Sequence, residues 1–188
     1  RWASSWHQKV KSLLSCKFEM TNMDELHYFP GVKVIQTPAN IMISQMHYIL
    51  NLLYKFGMIE CKSVATPLDR NLKLDANSGT IECESTHYRQ LVGSLIYLTM
   101  TRPDLNYMVV LLSQFMQTPR DIHLDCAKRV LWYVSGTMDY GILYKSATPI
   151  QLEGCTDADR AGYKADRQST SRFVFSLGRE VISWSSKK

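Results

Sequence analysis

The sequence has little of what disulfide frameworks, zinc sites or membrane spans require. Its five cysteines are scattered, odd in number and form no Cys-x-x-Cys pair, a pattern typical of reduced thiols in an intracellular protein. No apolar run approaches the length of about 18 residues that a membrane helix needs, and no signal peptide opens the chain. There is also no internal repeat or low-complexity tract. We therefore expect a soluble protein without a membrane partner.

What the chain does contain is enough apolar sequence for a core. Of its 188 residues, 45% are hydrophobic and 11% aromatic, which predicts a globular chain of one domain or two small ones. The net charge of +5 and the pI near 8.9 suit an anionic partner such as nucleic acid, although many soluble proteins share that balance. The sequence begins at Arg1 and ends at Lys188 directly after strand-like sequence, so both ends are expected to lie inside a longer protein.

The stretch 88–144 predicts three amphipathic helices joined by short links. Apolar residues recur at helical spacing in three runs, 91–98, 105–116 and 127–134. Pro103 suits the first turn of the second helix because proline lacks a donor N–H and has a preset φ. Pro119 separates the second helix from the third, and Gly136 is a good C-terminal cap. The expected product is a packed bundle that carries no chemistry of its own.

The flanking sequence alternates between helical and strand periods. It predicts a loosely amphipathic helix over 1–18, a β-hairpin over 26–44, and a helix that runs from an N-cap at Ser44 to Gly57. Residues 61–85 are polar and aperiodic, which is typical of a linker. Four strands are predicted after the bundle, at 141–144, 151–157, 172–177 and 181–185. Three antiparallel strands with no covering helix would expose one face, which indicates the opening of a longer domain.

Two pairs of side chains are candidates for metal chemistry. Asp157 and Asp159 are two residues apart, so a continuous strand would point both carboxylates to one face. Paired carboxylates suit Mg²⁺, and hydrolysis of a phosphodiester by two metal ions needs a cluster of them. The alternative is a pair of solvated turn residues at the end of a strand. His123 and Cys126 lie one helical turn apart, but no second pair accompanies them, which favours a structural role.

A series of segments carries a resemblance to a known family. In chain order they are HYFPGVKV at 27–34, YRQLVGSLIYL at 88–98, TRPD at 101–104, SQFM at 113–116, AKRVL at 127–131, GCTDAD at 154–159, DRQSTS at 166–171 and ISWSSKK at 182–188. Together they resemble the Pol polyprotein of copia-type long-terminal-repeat retrotransposons, from about Phe18 to Lys188. In that family this region follows the catalytic core of the reverse transcriptase and leads into ribonuclease H.

The resemblance implies an α+β fold in four parts. These are the end of the palm with a primer-grip-like hairpin and the first thumb helix (1–60), a linker (61–87), a helical thumb and connection region (88–148), and a truncated ribonuclease H-like antiparallel sheet (149–188). It implies a parent RNA-directed DNA polymerase with ribonuclease H activity that uses Mg²⁺. The implied partners are an RNA/DNA hybrid or primer–template duplex and the rest of the Pol polyprotein, in a cytoplasmic virus-like particle or the nucleus.

The resemblance also suggests roles for particular residues. On the hairpin, four residues would position the primer: Tyr28, Phe29, Gly31 and Lys33. An ordinary hairpin with both aromatic rings in the core is the alternative. Four basic residues would contact phosphates, with a solvated helix face as the alternative: Arg89, Arg102, Lys128 and Arg129.

In the last part of the chain, Asp157 falls on the first metal-binding Asp of the family's ribonuclease H, and Asp159 is the second candidate catalytic residue beside it. Three positions depart from the family pattern, and at one of them the family has Trp where Arg160 stands. The family has Leu where Pro30 stands, which predicts a local distortion of the hairpin, and Gly where Arg172 stands.

Two carboxylate groups that the family needs are missing. No Asp-Asp dipeptide occurs in the sequence, although the polymerase site of the family is an aromatic-x-Asp-Asp turn. The next metal-binding Glu of ribonuclease H would follow Lys188. The sequence therefore predicts a chain that is catalytically inactive alone. Two other readings stay open, a decayed or domesticated remnant that binds nucleic acid without catalysis and a helical domain that binds a protein partner.

Overall fold

The computed structural model describes residues 2–20, 26–69, 74–75, 79, 81–145, 151–159 and 170–187. It has the predicted α+β architecture, with helices beside two antiparallel sheets. The helices are α1 (Trp2–Lys17), α2 (Met46–Lys55), α3 (Ser85–Leu98), α4 (Asn106–Ser113) and α5 (Asp121–Ser135). The strands are β1 (Tyr28–Phe29), β2 (Val32–Gln36), β3 (Asn40–Ser44), β4 (Gly141–Lys145), β5 (Leu152–Asp159), β6 (Thr170–Leu177) and β7 (Glu180–Lys187).

The three predicted bundle helices are α3, α4 and α5. Pro103 opens a 3₁₀ turn, Pro103–Leu105, that leads directly into α4, as its missing N–H and fixed φ favour. The second helix is shorter than its apolar period predicted, because α4 ends at Ser113 and the backbone N–H of Phe115 bonds the carbonyl of Leu112 in a tight turn. Met116, the last residue of the predicted apolar face, lies partly buried against the core, and Phe115, which that face did not include, is buried in it.

A single cluster of buried residues joins segments that the sequence assigned to different parts. Ile49, Leu52 and Leu53 of α2 belong to the same core as the apolar faces of α3, α4 and α5. Leu74, in the stretch expected to be a linker, is only 7% exposed and lies in that core as well. The packing therefore runs across the boundaries drawn at 60 and 88.

The first sheet has the strand order β1-β2-β3-β4, and every pairing in it is antiparallel. The predicted hairpin is β2 and β3, closed by the turn between Gln36 and Asn40. Strand β4 pairs along β3, with Leu143 opposite Met42, although almost 100 residues separate them. Periodicity predicted a strand at 141–144 but not its partner. The pairing with β3 depends on how the intervening helices pack, because their packing brings the chain after α5 back to the first sheet.

The start of α2 differs from the expected cap. Ser44 is the last residue of β3, and Gln45 occupies the position before the helix without a side-chain cap bond. The side chain of Gln45 is buried and instead accepts a hydrogen bond from Thr101 Oγ1 at 2.8 Å. This bond links the start of α2 to the turn after α3.

The second sheet has the order β5-β6-β7 and lies against the bundle and the first sheet. Trp184 Nε1 donates a hydrogen bond to the carbonyl oxygen of Thr99 at 3.2 Å, and the hydroxyl of Tyr144 donates to the carbonyl oxygen of Val181 at 3.3 Å. Its apolar residues remain partly uncovered, since Val174 and Ile182 are 41% and 45% exposed. In the part of the chain that is described, no helix combines the length and apolar character needed to cross a membrane.

Candidate nucleic-acid interface and the Asp157 carboxylate

The hairpin turn presents two aromatic rings to solvent. Tyr28 and Phe29 are 57% and 54% exposed, whereas Val32 and Val34 of the next strand are buried. The alternative in which both rings fill the core is therefore wrong. Gly31 has a φ of +74°, a left-handed conformation that glycine adopts without strain, and it turns the chain from β1 into β2.

The turn is fixed on α3 by a tyrosine. The hydroxyl of Tyr97 donates a hydrogen bond to the carbonyl oxygen of Pro30, and a Cβ on Gly31 would lie 2.5 Å from that hydroxyl. The ring of Tyr97 packs edge-on against Tyr48, at 4.8 Å between ring centroids. Sequence reasoning missed this role of Tyr97, whose only signal was a tyrosine at the edge of the apolar stripe of α3.

The sequence predicted that Pro30 would distort the hairpin locally, but the strand pairing continues on both sides of it. Tyr28 pairs with Lys33 and Phe29 pairs with Val32 on either side of it. Pro30 stands in the turn, where no ladder hydrogen bond requires a donor N–H, so the proline costs the hairpin nothing.

Lys33 is exposed directly opposite Tyr28, so both side chains leave the same face of the sheet. A flat ring can stack on a base or pack on a sugar, and an ammonium group can contact a phosphate without reading sequence. Such a face suits contact with a nucleic acid, and Gly31, which has no side chain, lets the main chain of the hairpin come close to that partner.

Three of the four basic candidates lie on the helices and have protein partners of their own. Arg89 Nε donates to the carbonyl oxygen of Met116 at 2.8 Å. Lys128 lies 3.8 Å from Asp125, one turn earlier on α5. Arg129 Nη2 donates to the hydroxyl of Thr66 at 3.3 Å, and its buried Nε has no hydrogen-bond partner.

Arg102 is the exception among the basic candidates, since it is 1% exposed. Its Nε and Nη2 donate to the two carboxylate oxygens of Asp104 at 3.0 and 2.7 Å. Its Nη1 donates to the carbonyl oxygen of Thr137 at 2.9 Å, and the rings of Tyr133 and Tyr140 flank the guanidinium at 5.5 and 5.3 Å. The predicted phosphate contact is wrong for Arg102, because the bundle encloses it and uses its donors.

The strand β5 continues through Asp157 to Asp159, so Asp157 is a strand residue and not a turn residue, although its side chain is solvated as that alternative expected. Asp157 has a side chain that is 72% exposed, and its nearest charged partner is Arg172 on β6 at 3.8 Å. The side chain of Asp159 lies outside the described residues. Among the residues that are described, no group of three or more His, Cys, Asp or Glu side chains comes together. These residues therefore do not fit a site for two divalent ions.

His123 has the structural role that its isolation predicted. It is fully buried on α5, stacked on Phe115 at 4.0 Å. Its Nδ1 accepts a hydrogen bond from the backbone N–H of Arg120, so Nε2 carries the proton and donates to the carbonyl oxygen of Asp75 at 3.0 Å. Both ring nitrogens are thus used within the fold. Burial also raises the pKa of the neighbouring Cys126 thiol to about 11.

Because burial lowers the pKa of His123 below its ordinary 6.5, we expect the protein to lose stability in mild acid. Below about pH 6.5 the imidazole is protonated in the unfolded chain but stays neutral in the folded chain. As the pH decreases below this value, His123 therefore lowers the free energy of unfolding by at most about 1.4 kcal/mol per pH unit. Urea denaturation at pH 7.5, 6.5 and 5.5 measures the loss. His123→Gln should flatten the dependence, while the exposed His47→Gln should leave it intact. A free energy of unfolding that stays constant from pH 7.5 to pH 5.5 would contradict a lowered pKa of His123.

Comparisons with known proteins include matches to a reverse transcriptase family and to retrotransposon Pol polyproteins. A family model described as "Reverse transcriptase (RNA-dependent DNA polymerase)" matches residues 4–70. The chain is 45% identical to the Retrovirus-related Pol polyprotein from transposon RE1 of Arabidopsis thaliana, over 93% of this chain and 12% of that protein. It is 34% identical to the corresponding polyprotein from transposon TNT 1-94 of Nicotiana tabacum, over 95% of this chain and 14% of that protein.

A third relative is much shorter. It is an uncharacterised mitochondrial protein of Arabidopsis thaliana, 37% identical over 93% of this chain and 72% of its own length. The chain thus spans about an eighth of the polyproteins but most of this relative. No solved structure matches the chain. Taken together, the chain belongs to the copia-type retrotransposon Pol polyprotein family, as part of its reverse transcriptase region.

Proposed function

We propose that this chain holds the template–primer duplex during reverse transcription, through contacts that do not read sequence. The observation that carries the proposal is the hairpin turn tied to α3, where Tyr28 and Lys33 are exposed on one face and Phe29 is exposed on the other. Reverse transcriptases of this family bind nucleic acid, and an aromatic ring beside a cation can pack on a base or sugar while the cation contacts a phosphate.

The rigidity of the turn supports this role. A duplex end is positioned well only if the residues that touch it do not move, and here the Tyr97 hydroxyl bonds the backbone at Pro30 while Tyr97 itself packs on Tyr48. The ordering of the turn is thus already achieved in the free protein, which lowers the entropy lost when the duplex binds. Arg89, Lys128 and Arg129 would add phosphate contacts from the helices, and the net charge of +5 favours the same partner.

The test is binding of a labelled RNA/DNA hybrid, followed by fluorescence anisotropy at a fixed low salt concentration. Replacing both Tyr28 and Phe29 by alanine should weaken binding about tenfold or more, because stacking on an aromatic ring contributes about 1–3 kcal/mol per base. Tyr54→Ala is the matched control, since Tyr54 is 77% exposed on α2 and lies outside the turn. Equal losses in the two variants, or none in the first, would rule out the hairpin as the contact.

We propose that the catalytic steps belong to the larger polyprotein. A reverse transcriptase uses divalent metal ions, and transfer of a nucleotide or cleavage of RNA by Mg²⁺ requires several carboxylates around the ions. The family resemblance assigns part of such a group to the positions of Asp157 and Asp159 in an intact Pol protein. The chain as it stands would bind duplex without extending a primer or cutting the RNA strand.

A second candidate is a binding remnant that has lost catalysis. It is supported by the mitochondrial relative, which contains the matching region in a protein only moderately longer than this chain. The anisotropy assay does not separate these two candidates, since both would bind hybrid duplex with strong salt dependence and without a need for Mg²⁺. Sequencing the transcript across both ends of this segment does: an open frame that continues into an aromatic-x-Asp-Asp turn favours the first candidate, and flanking stop codons favour the remnant. Absence of any affinity for duplex would instead favour a helical domain that binds a protein partner.

A further inference from the structure

The carboxylate that the family resemblance assigns to metal binding has a cation of the protein's own beside it. Asp157 on β5 and Arg172 on β6 are directly opposite each other in the sheet register, with 3.8 Å between Nη1 and Oδ2. The family pattern has glycine at position 172, which would leave the carboxylate without this neighbour. The carboxylate that was expected to bind a metal ion therefore has an arginine beside it, at a position where the family has glycine.

Arg172 is held in that place by the bundle. Its guanidinium carbon lies 4.1 Å from the centre of the ring of Tyr107, on α4, a distance typical of a cation stacked on an aromatic face. Its Nε is buried without a hydrogen-bond partner, so the ring of Tyr107 and the carboxylate of Asp157 are the contacts of the guanidinium that the structure shows. The neighbouring strand is fixed by the bond from Trp184 to Thr99. The charge beside Asp157 is thus positioned and does not drift freely in solvent.

We infer that the Arg172 guanidinium takes the place of a cation at Asp157 and keeps divalent ions away from that carboxylate. A bound divalent ion would carry two positive charges into the neighbourhood of a fixed third one, and like charges a few ångströms apart repel even in water. The same guanidinium already neutralises part of the charge of the Asp157 carboxylate, so the attraction between this carboxylate and a divalent ion would be weaker. This inference concerns residues 107, 157 and 172 and does not depend on duplex binding by the hairpin.

The test uses Mn²⁺ as the probe, with nuclear magnetic resonance of the full chain to detect paramagnetic broadening of backbone amides near Asp157. Arg172→Gln removes the charge and retains most of the stem, and it should raise the affinity for Mn²⁺ at this place about tenfold. The parent chain and Arg172→Lys, which retains the charge, should show no broadening at the Mn²⁺ concentration that broadens the Gln variant. Arg179→Gln is the matched control, because it removes the same charge from the exposed turn between β6 and β7.

Each other outcome overturns the inference. Broadening around Asp157 in the parent chain would show that Arg172 does not exclude the ion, and its absence in Arg172→Gln would show that the charge is not the barrier. Equal gains in the 172 and 179 variants would mean that only net charge matters. Adding Asp157→Asn to Arg172→Gln should abolish the gain, and a retained gain would move the ion elsewhere. The indole N–H signal of Trp184 reports whether the sheet stays docked, and Arg172→Lys separates loss of docking from loss of charge.

Discussion

Replacing Arg102 by alanine should lower the free energy of unfolding by about 3–5 kcal/mol. Arg102 is buried, whereas the side chain of Asp104 is 36% exposed and can be solvated, so the cost comes mainly from the hydrogen bonds and the packing of the guanidinium. Here the loss includes both bonds to Asp104, the bond to the Thr137 carbonyl and the packing between Tyr133 and Tyr140. These contacts join the turn before α4 to the end of α5, so their loss should destabilise the whole helical bundle.

Thermal and urea denaturation measure this loss, and the melting temperature should fall by about 10 °C. Arg102→Lys should recover little of it, because an ammonium group cannot bond both carboxylate oxygens and stack between two rings as a planar guanidinium does. Arg179→Ala, in an exposed turn, should change stability by less than about 0.5 kcal/mol. A lysine variant as stable as the parent chain would show that charge alone, and no specific geometry, holds Arg102 in place.

Leu53→Ala should cost about 2–5 kcal/mol and should destabilise helices far from it in sequence. Leu53 is 2% exposed on α2, and its side chain belongs to the core shared with α3, α4 and α5. Truncating a buried leucine loses its transfer free energy and leaves a cavity that close-packed neighbours fill only in part. Leu50→Ala is a matched control on the same helix, because Leu50 is 39% exposed and its loss should cost less than about 1 kcal/mol.

Amide hydrogen exchange shows whether the core is one cooperative unit. In Leu53→Ala the slowest amides of α3 and α5 should exchange faster by the same free energy as those of α2, since one core unfolds as a whole. Acceleration confined to α2 and the first sheet would mean that residues 1–60 form a separate unit, as the sequence suggested. The buried position of Leu74, from the predicted linker, leads us to expect the first result.

The helices of this protein could be predicted because their information is local. An apolar residue every three or four positions specifies a helix face wherever the helix lies, and Pro103 starts the turn into α4 through its own backbone chemistry. Gly136 follows α5 as predicted, but with a φ of −86°, a conformation that does not require glycine. The same is true of the hairpin between β2 and β3, whose strands are neighbours in the chain. The family itself was also recognisable, since its short motifs retain their identity and order without reference to the fold.

Which side chains are accessible was decided only by the tertiary structure. Arg102 and Arg89 are equally cationic in the sequence, yet α5 and the Thr137 turn enclose the first and leave the second at the surface. Tyr28 and Phe29 were as suited to a core as to a surface until the pairing of β1 placed them at an edge. Arg172 meets Asp157 and Tyr107 because strand register and helix docking bring distant segments together. Most helices and strands, and the family, follow from short-range periodicity and motif chemistry, whereas burial and charge partners arise from long-range contacts that no local pattern records.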